Sequence, residues 1–217
     1  SATDSPASVT AGLVGADGPT HHGLMDIGFL RMMPNMVLVS PANGIEMELA
    51  LKFAKDSKRP VAIRYPKEDV KDNVLPDVFA TPFELGRSLM VRQGSSKIVI
   101  LAYGSMVFEA LKAAKILETD KIDVTVINAR FAKPLDDKII SLLNADNDII
   151  TVEDHYAACG FGSAVLEAAA KAGARTDKIR ILGVNDDFIE MDKRENQLKA
   201  TGIDADGIIR TLIDTMF

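Results

Sequence analysis

The chain has little of several residue types, and each shortage removes a class of function. Of 217 residues only one is cysteine, Cys159, so an internal disulfide and any multi-cysteine zinc site are excluded, and a reducing compartment is favoured. Histidine occurs three times, at 21, 22 and 155, with no HExxH or CxxC spacing to suggest a metal centre. Basic residues are outnumbered, 25 against 31 acidic, and the net charge of −6 argues against nucleic acid or an anionic membrane as partner. No apolar run approaches the roughly 18 residues of a bilayer span, and the opening SATDSPASVT lacks the basic and apolar regions of a signal peptide. The expectation is a cytoplasmic protein. Internal repeats, low-complexity tracts and heptads are also missing, while a 47% hydrophobic content is enough for a packed core.

What is present alternates. Short β-branched runs are followed by longer helical patterns, the signature of βαβ units and a mostly parallel sheet, so the class is α/β. The first half offers MVLVS (36–40), the helix-like IEMELALKFAKD (45–56) and VAIRY (61–65), punctuated by Pro41 and Pro60. Then PKEDVKDNVLPDVFATP reads as a linker, with a domain boundary near residue 82. The second half supplies strands at FELGRSLMVRQ, KIVILAYG, IDVTVINA, DNDIITVED and KIRILGV. Helices are expected at MVFEALKAAKILE, just after Pro134, at GSAVLEAAAKAG and around DADGIIRTLIDTMF. This half has enough strands to fold alone, whereas the first half has only two or three, preceded by a polar segment that cannot pack.

The densest group of reactive residue types is GADGPTHHG (15–23). Asp17-Gly18-Pro19 predicts a tight turn after the apolar AGLVG, at the strand end where open α/β sheets bind ligands. Asp17 can accept from a hydroxyl, and His21 can donate to a carbonyl or developing oxyanion. Alternatively Asp17 merely caps its turn and the histidines are solvated. Arg64, ending VAIRYP, suits a phosphate or carboxylate, or else a nearby acidic side chain. In ACGFGSAVLEAAAK (158–171) the glycines allow close packing, Ser163 is expected as N-cap and Cys159 as a small buried residue. Glu153, Asp154 and His155 read as boundary or interface residues, and the nine methionines as core filler.

Together GLVGADGPTHHG, LRMMPNMVLVSP, PVAIRYP, NARFAKPLD and VEDHYAACGFGSAV resemble, in this order, the 1-deoxy-D-xylulose-5-phosphate synthases, thiamine diphosphate enzymes of the transketolase class. The resemblance runs from Ala11 to the C-terminus. It implies part of a pyrimidine-binding domain at 11–66, a linker at 67–82 and a Rossmann-like transketolase C-terminal domain at 83–217. Residues 1–10 are expected to be foreign or disordered, because Val9-Thr10 stand where the family has Asp-Arg. The diphosphate-binding domain and the early pyrimidine domain, with its activating glutamate, lie outside the resemblance. What it implies for the complete enzyme is thiamine diphosphate with Mg2+, and condensation of pyruvate with glyceraldehyde 3-phosphate for isoprenoid-precursor and thiamine biosynthesis. This chain alone is expected to be inactive and to hold no cofactor tightly. Its expected partner is a second copy or the missing N-terminal section. By the same resemblance Asp17 orients the acceptor, His21 is catalytic beside the reacting carbonyl, and Arg64 holds the acceptor's phosphate, while His22 takes no role. Competing readings are a non-catalytic assembly or phosphate-binding module, one subunit of a split transketolase-type enzyme, and a zinc hydrolase using Asp17, His21 and His155.

Overall fold

The computed structural model describes residues 7–67 and 77–216. Strand β1, Ala7–Ala11, leads into a loop and then helix α1, Asp26–Met32. Strand β2 (Val37–Val39), helix α2 (Gly44–Asp56) and strand β3 (Val61–Pro66) complete the first βαβ unit. Strands β4 (Leu89–Arg92) and β5 (Ile98–Ala102), helix α3 (Met106–Thr119), and strands β6 (Thr125–Asn128) and β7 (Phe131–Lys133) follow. Helix α4 (Asp137–Asn144), strand β8 (Asp148–Tyr156), helix α5 (Phe161–Lys171) and strand β9 (Ile179–Val184) come next. Helices α6 (Arg194–Ala200) and α7 (Ala205–Met216) close the described chain. The α/β class agrees with the alternating pattern.

Two sheets form. The first has the order β1-β3-β2-β7, the second β4-β6-β5-β8-β9. Within the second, β6-β5-β8-β9 are parallel and β4 is an antiparallel edge. Its middle strand β5 is buried along its whole length, as expected where helices cover both faces.

One expectation about organisation is corrected for part of its range. Residues 7–10 are not disordered: they run in β1, parallel to β3 with Ala7 opposite Ala62 and Ala11 opposite Pro66. Val9 packs on the core, Thr10 faces solvent and Ala11 is buried, the period-two signature of an edge strand. Polar Ser and Thr in the segment hid that signature. Residues 1–6 lie outside the described residues, as do residues 68–76 of the expected linker. Where the linker is described it is anchored, since Phe79 is fully buried and stacks on Phe108 at 6.3 Å.

The boundary expected near residue 82 is crossed by one strand. Strand β7 belongs by sequence to the second half yet pairs antiparallel with β2 of the first sheet, Val39 opposite Phe131. Arg130, between β6 and β7, adopts a φ of 57° and turns the chain from one sheet to the other. Its guanidinium is buried against Glu46, 2.7 Å from Nη2 to Oε1, and lies over the Phe83 ring at 4.3 Å. Glu46 also joins the cap at the start of α2. Asn43 accepts from the Glu46 amide, and the Glu46 carboxylate accepts from the Ala42 amide at 2.8 Å and from Asn128. One carboxylate thus caps a helix and seals the junction of the two sheets.

Candidate functional site

The loop from Gly12 to Gly23 leaves the C-terminal end of β1 and returns upon itself. Gly12 and Gly23 exchange two backbone hydrogen bonds, 2.8 and 2.9 Å, closing the loop at its neck. Gly12 has a φ of 75°, and a Cβ there would lie 2.2 Å from an Asp154 carboxylate oxygen, so glycine is required twice over. Inside the neck, Gly15–Asp17 form one 3-10 turn, and Gly18 with φ 72° reverses the chain. The His21 amide then donates to the Gly18 carbonyl at 3.1 Å.

Two of the three expected site residues lie on this reversal. Asp17 is partly exposed and paired with Lys67, whose ammonium holds its carboxyl below the ordinary range, with His21 adding to the field. His21 is exposed, its Nδ1 2.9 Å from Thr20 Oγ1. A carboxylate and an imidazole therefore face solvent from a single turn at a sheet's carboxyl end.

Arg64 is placed differently. It is buried behind the loop, its side chain only 4% exposed, with Nε donating to Asp26 at 2.8 Å and Nη2 to Asp26, to Gly23 O and to Asp154 O. Burial opposes its charge, but Asp26 and Asp154 outweigh that and raise its pKa. A strand-end arginine was expected to open its fork toward an anion. Here the first turn of α1 brings Asp26 onto it from 38 positions away, and the fork is turned inward.

Behind Arg64 lies the end of β8. Asp154 accepts from the Leu13 amide at 2.9 Å and from Arg194 at 2.5 Å. Glu153 is fully buried and accepts from the Phe161 and Gly162 amides, at 2.5 and 2.7 Å. It therefore caps α5 in place of Ser163, whose hydroxyl donates to the Ala157 carbonyl. Desolvation dominates those amide bonds and pushes Glu153 up to about 7. His155 is pushed the other way, to about 4, by burial and by Arg64. Its Nδ1 lies 2.6 Å from the Tyr156 carbonyl and its Nε2 receives the Gly28 amide, an arrangement for the neutral Nδ1–H ring.

Other expectations also change. Cys159 is exposed, in a turn with φ 61° before α5. Met25, Met32 and Met33 are exposed on or beside α1, and Met191 on the chain before α6, so these methionines are not core filler. Asp17, His21 and His155 do not converge, because His155 is buried against α1. Among the described residues no group of three or more His, Cys, Asp or Glu could hold a metal ion. No described helix is long and apolar enough to cross a membrane. Sequence reasoning missed Asp26, Arg194 and Gln197, whose partners lie 38 to 182 positions away and leave no local signal.

Comparison with known proteins places this architecture. A family model described as "Transketolase, C-terminal domain" matches residues 86–208, and one described as "Transketolase, pyrimidine binding domain" matches residues 3–72. The chain belongs to the transketolase C-terminal domain family. Among its relatives are 1-deoxy-D-xylulose-5-phosphate synthase 2 of Geobacter sulfurreducens, 42% identical over 206 residues, covering 93% of this chain and 33% of the relative. The 1-deoxy-D-xylulose-5-phosphate synthase of Clostridium perfringens strain 13 is 44% identical over 209 residues, covering 95% and 33%. The chain thus spans about a third of the length of these curated relatives. A solved structure titled "Split gene transketolase, inactive beta4 tetramer" superposes with a TM-score of 0.82 at 28% identity, covering 94% of this chain and 65% of that one.

Proposed function

We propose that this chain is the acceptor-binding, C-terminal portion of a cytoplasmic 1-deoxy-D-xylulose-5-phosphate synthase, which joins pyruvate to glyceraldehyde 3-phosphate with loss of carbon dioxide. The observation that carries the reading is the presence of Asp17 and His21 together on one reversal of the backbone, in a chain more than 40% identical to synthases of that name. In this reading the Asp17 carboxylate accepts from the acceptor's hydroxyl, exchanging Lys67 for substrate. His21 donates to the aldehyde oxygen as it takes up charge. Arg64 holds the wall behind both by fixing Asp26, Gly23 and Asp154; gripping a phosphate directly would require it to give up Asp26.

Thiamine diphosphate with Mg2+ supplies the carbon nucleophile in the complete enzyme. The described residues do not by themselves fit its aminopyrimidine: both fully buried glutamates are engaged, Glu46 by Arg130 and Asn128, Glu153 by the α5 amides. The isolated chain is expected to show no turnover of pyruvate with glyceraldehyde 3-phosphate, and activity is expected when the N-terminal two-thirds of a synthase is supplied. In that complex His21→Asn lowers kcat by roughly a hundredfold, the usual scale for losing a proton-transfer group. Full activity from this chain alone would overturn the reading.

A second reading is favoured by the structural neighbour, whose title describes a split-gene protein inactive as a β4 tetramer. Here the chain is one subunit of a split enzyme that self-associates without its partner. Co-purification from the native cell separates the two, since only the split enzyme brings down its N-terminal half as a separate polypeptide.

A further inference from the structure

The reversal carrying Asp17 and His21 is exposed, yet the backbone on either side of it is held by side chains from the other end of the sequence. Gln197, on α6 and 1% exposed, faces Gly15 as a second strand would. Its Oε1 accepts the Gly15 amide at 3.0 Å, and its Nε2 donates to the Gly15 carbonyl at 3.0 Å and to Glu190 O at 2.9 Å. The same Gly15 carbonyl receives the Gly18 amide at 3.3 Å, so Gln197 fixes the first residue of the turn that contains Asp17. Next to it, Arg194 Nε donates to the Leu13 carbonyl at 3.2 Å, while its Nη2 holds Asp154, which takes the Leu13 amide.

The far side of the reversal is tied by His22. Its Nδ1 accepts the Val14 amide at 3.1 Å, which leaves Nε2 to carry the proton and donate to the Ile189 carbonyl at 3.0 Å. One ring thus joins the two limbs of the loop to the segment before α6. Leaving a buried amide unbonded costs more than an average hydrogen bond contributes, so these partners favour one conformation of the loop.

We infer that residues 189–197, through the Gln197 carboxamide and the His22 ring, are the positioning element for the acceptor-binding turn, so that the C-terminal domain sets how tightly the acceptor aldehyde is held. The inference rests on the acceptor role proposed above for Asp17 and His21. Gln197 and His22 touch backbone, not substrate, and act through Gly15, Val14 and the turn between.

Two measurements test it. On the isolated chain, amide hydrogen exchange at Gly15 and Gly18 is expected to speed at least tenfold in Gln197→Met, and at Val14 in His22→Asn. In the complex restored with the N-terminal section, Gln197→Met raises the KM for glyceraldehyde 3-phosphate about tenfold, the scale of one or two lost hydrogen bonds. The KM for pyruvate stays unchanged. His22→Asn, made at a partly exposed site, gives a smaller rise of the same kind. Unchanged exchange in both variants, or both KM values rising together, overturns the inference. Should the parent complex not use these substrates, the proposed function falls, and exchange at Gly15, Gly18 and Val14 still decides whether the clamp exists.

Discussion

The two sheets of this molecule are completed by different means. The second takes its five strands from residues 89–184, with β4, the first of them, as its antiparallel edge. The first draws three strands from residues 7–66 and its fourth, β7, from the middle of the other half. A strand that leaves its own sheet must be held at the exit, and the fully buried Arg130–Glu46 pair sits there, bonded also to Asn128 and the Ala42 amide. The difference teaches that the halves are joined by backbone pairing rather than by a tether. The turn that carries Asp17 and His21 lies outside this junction, and its backbone is held instead by Gln197 and His22.

Breaking the junction is expected to have the largest effect. Glu46→Ala leaves the Arg130 guanidinium buried without its carboxylate, and removing one partner of such a pair costs about 3–5 kcal/mol. Chemical denaturation is the measurement. If the junction matters more than either sheet alone, probes in both sheets lose stability together; loss confined to the first sheet would show that β7 can be given up.

A smaller effect sharpens the comparison at the end of β8, where Asp154 accepts from the loop's Leu13 amide. Glu153, pushed up to about 7, contributes stability that is complete below its ordinary value of 4.5 and is lost as pH rises through 7. His155, pushed down to about 4, does the reverse: its contribution is present above 6.5 and is lost as pH falls through 4. Between pH 4.5 and 6.5 the two oppose each other. Glu153→Gln removes one of them, so denaturation midpoints of the variant are expected to fall on acidification from pH 6.5 to 4.5 more steeply than in the parent. Parallel pH profiles would contradict the assignment.

The smallest effect belongs to the exposed turn itself. Asp17 meets Lys67 at the surface, where ion pairs contribute little, so Asp17→Asn is expected to leave the thermal midpoint unchanged while weakening acceptor binding in the restored complex. A drop in stability there would mean that the turn is part of the scaffold.

Most of the secondary structure was legible because it is local. Short continuous apolar runs such as IVILA and capped helices such as Asn43 to Asp56 carry their signals within a few residues. So did the turn at Asp17-Gly18, whose residue types match the backbone they adopt. Strand β1 escaped notice because an edge strand needs only one apolar face, and ASVTA shows little of one. Arg64 illustrates a choice that the sequence left open. Its type and position suggested either an anion clamp or an acidic neighbour, and nothing around Asp26 signalled that α1 would deliver that neighbour.

By itself, then, the amino-acid order determined the α/β class, most of the strands and helices, and the candidacy of Asp17 and His21, since each depends on periodicity or turn chemistry within one segment. Only the tertiary structure decided that β7 joins the first sheet, that Arg64 is spent on Asp26, that Glu153 rather than Ser163 caps α5, and that Gln197 and His22 brace the turn. Those outcomes depend on which buried donors and acceptors meet once the chain has folded. Each must find a partner away from water, and that partner can lie anywhere in the sequence.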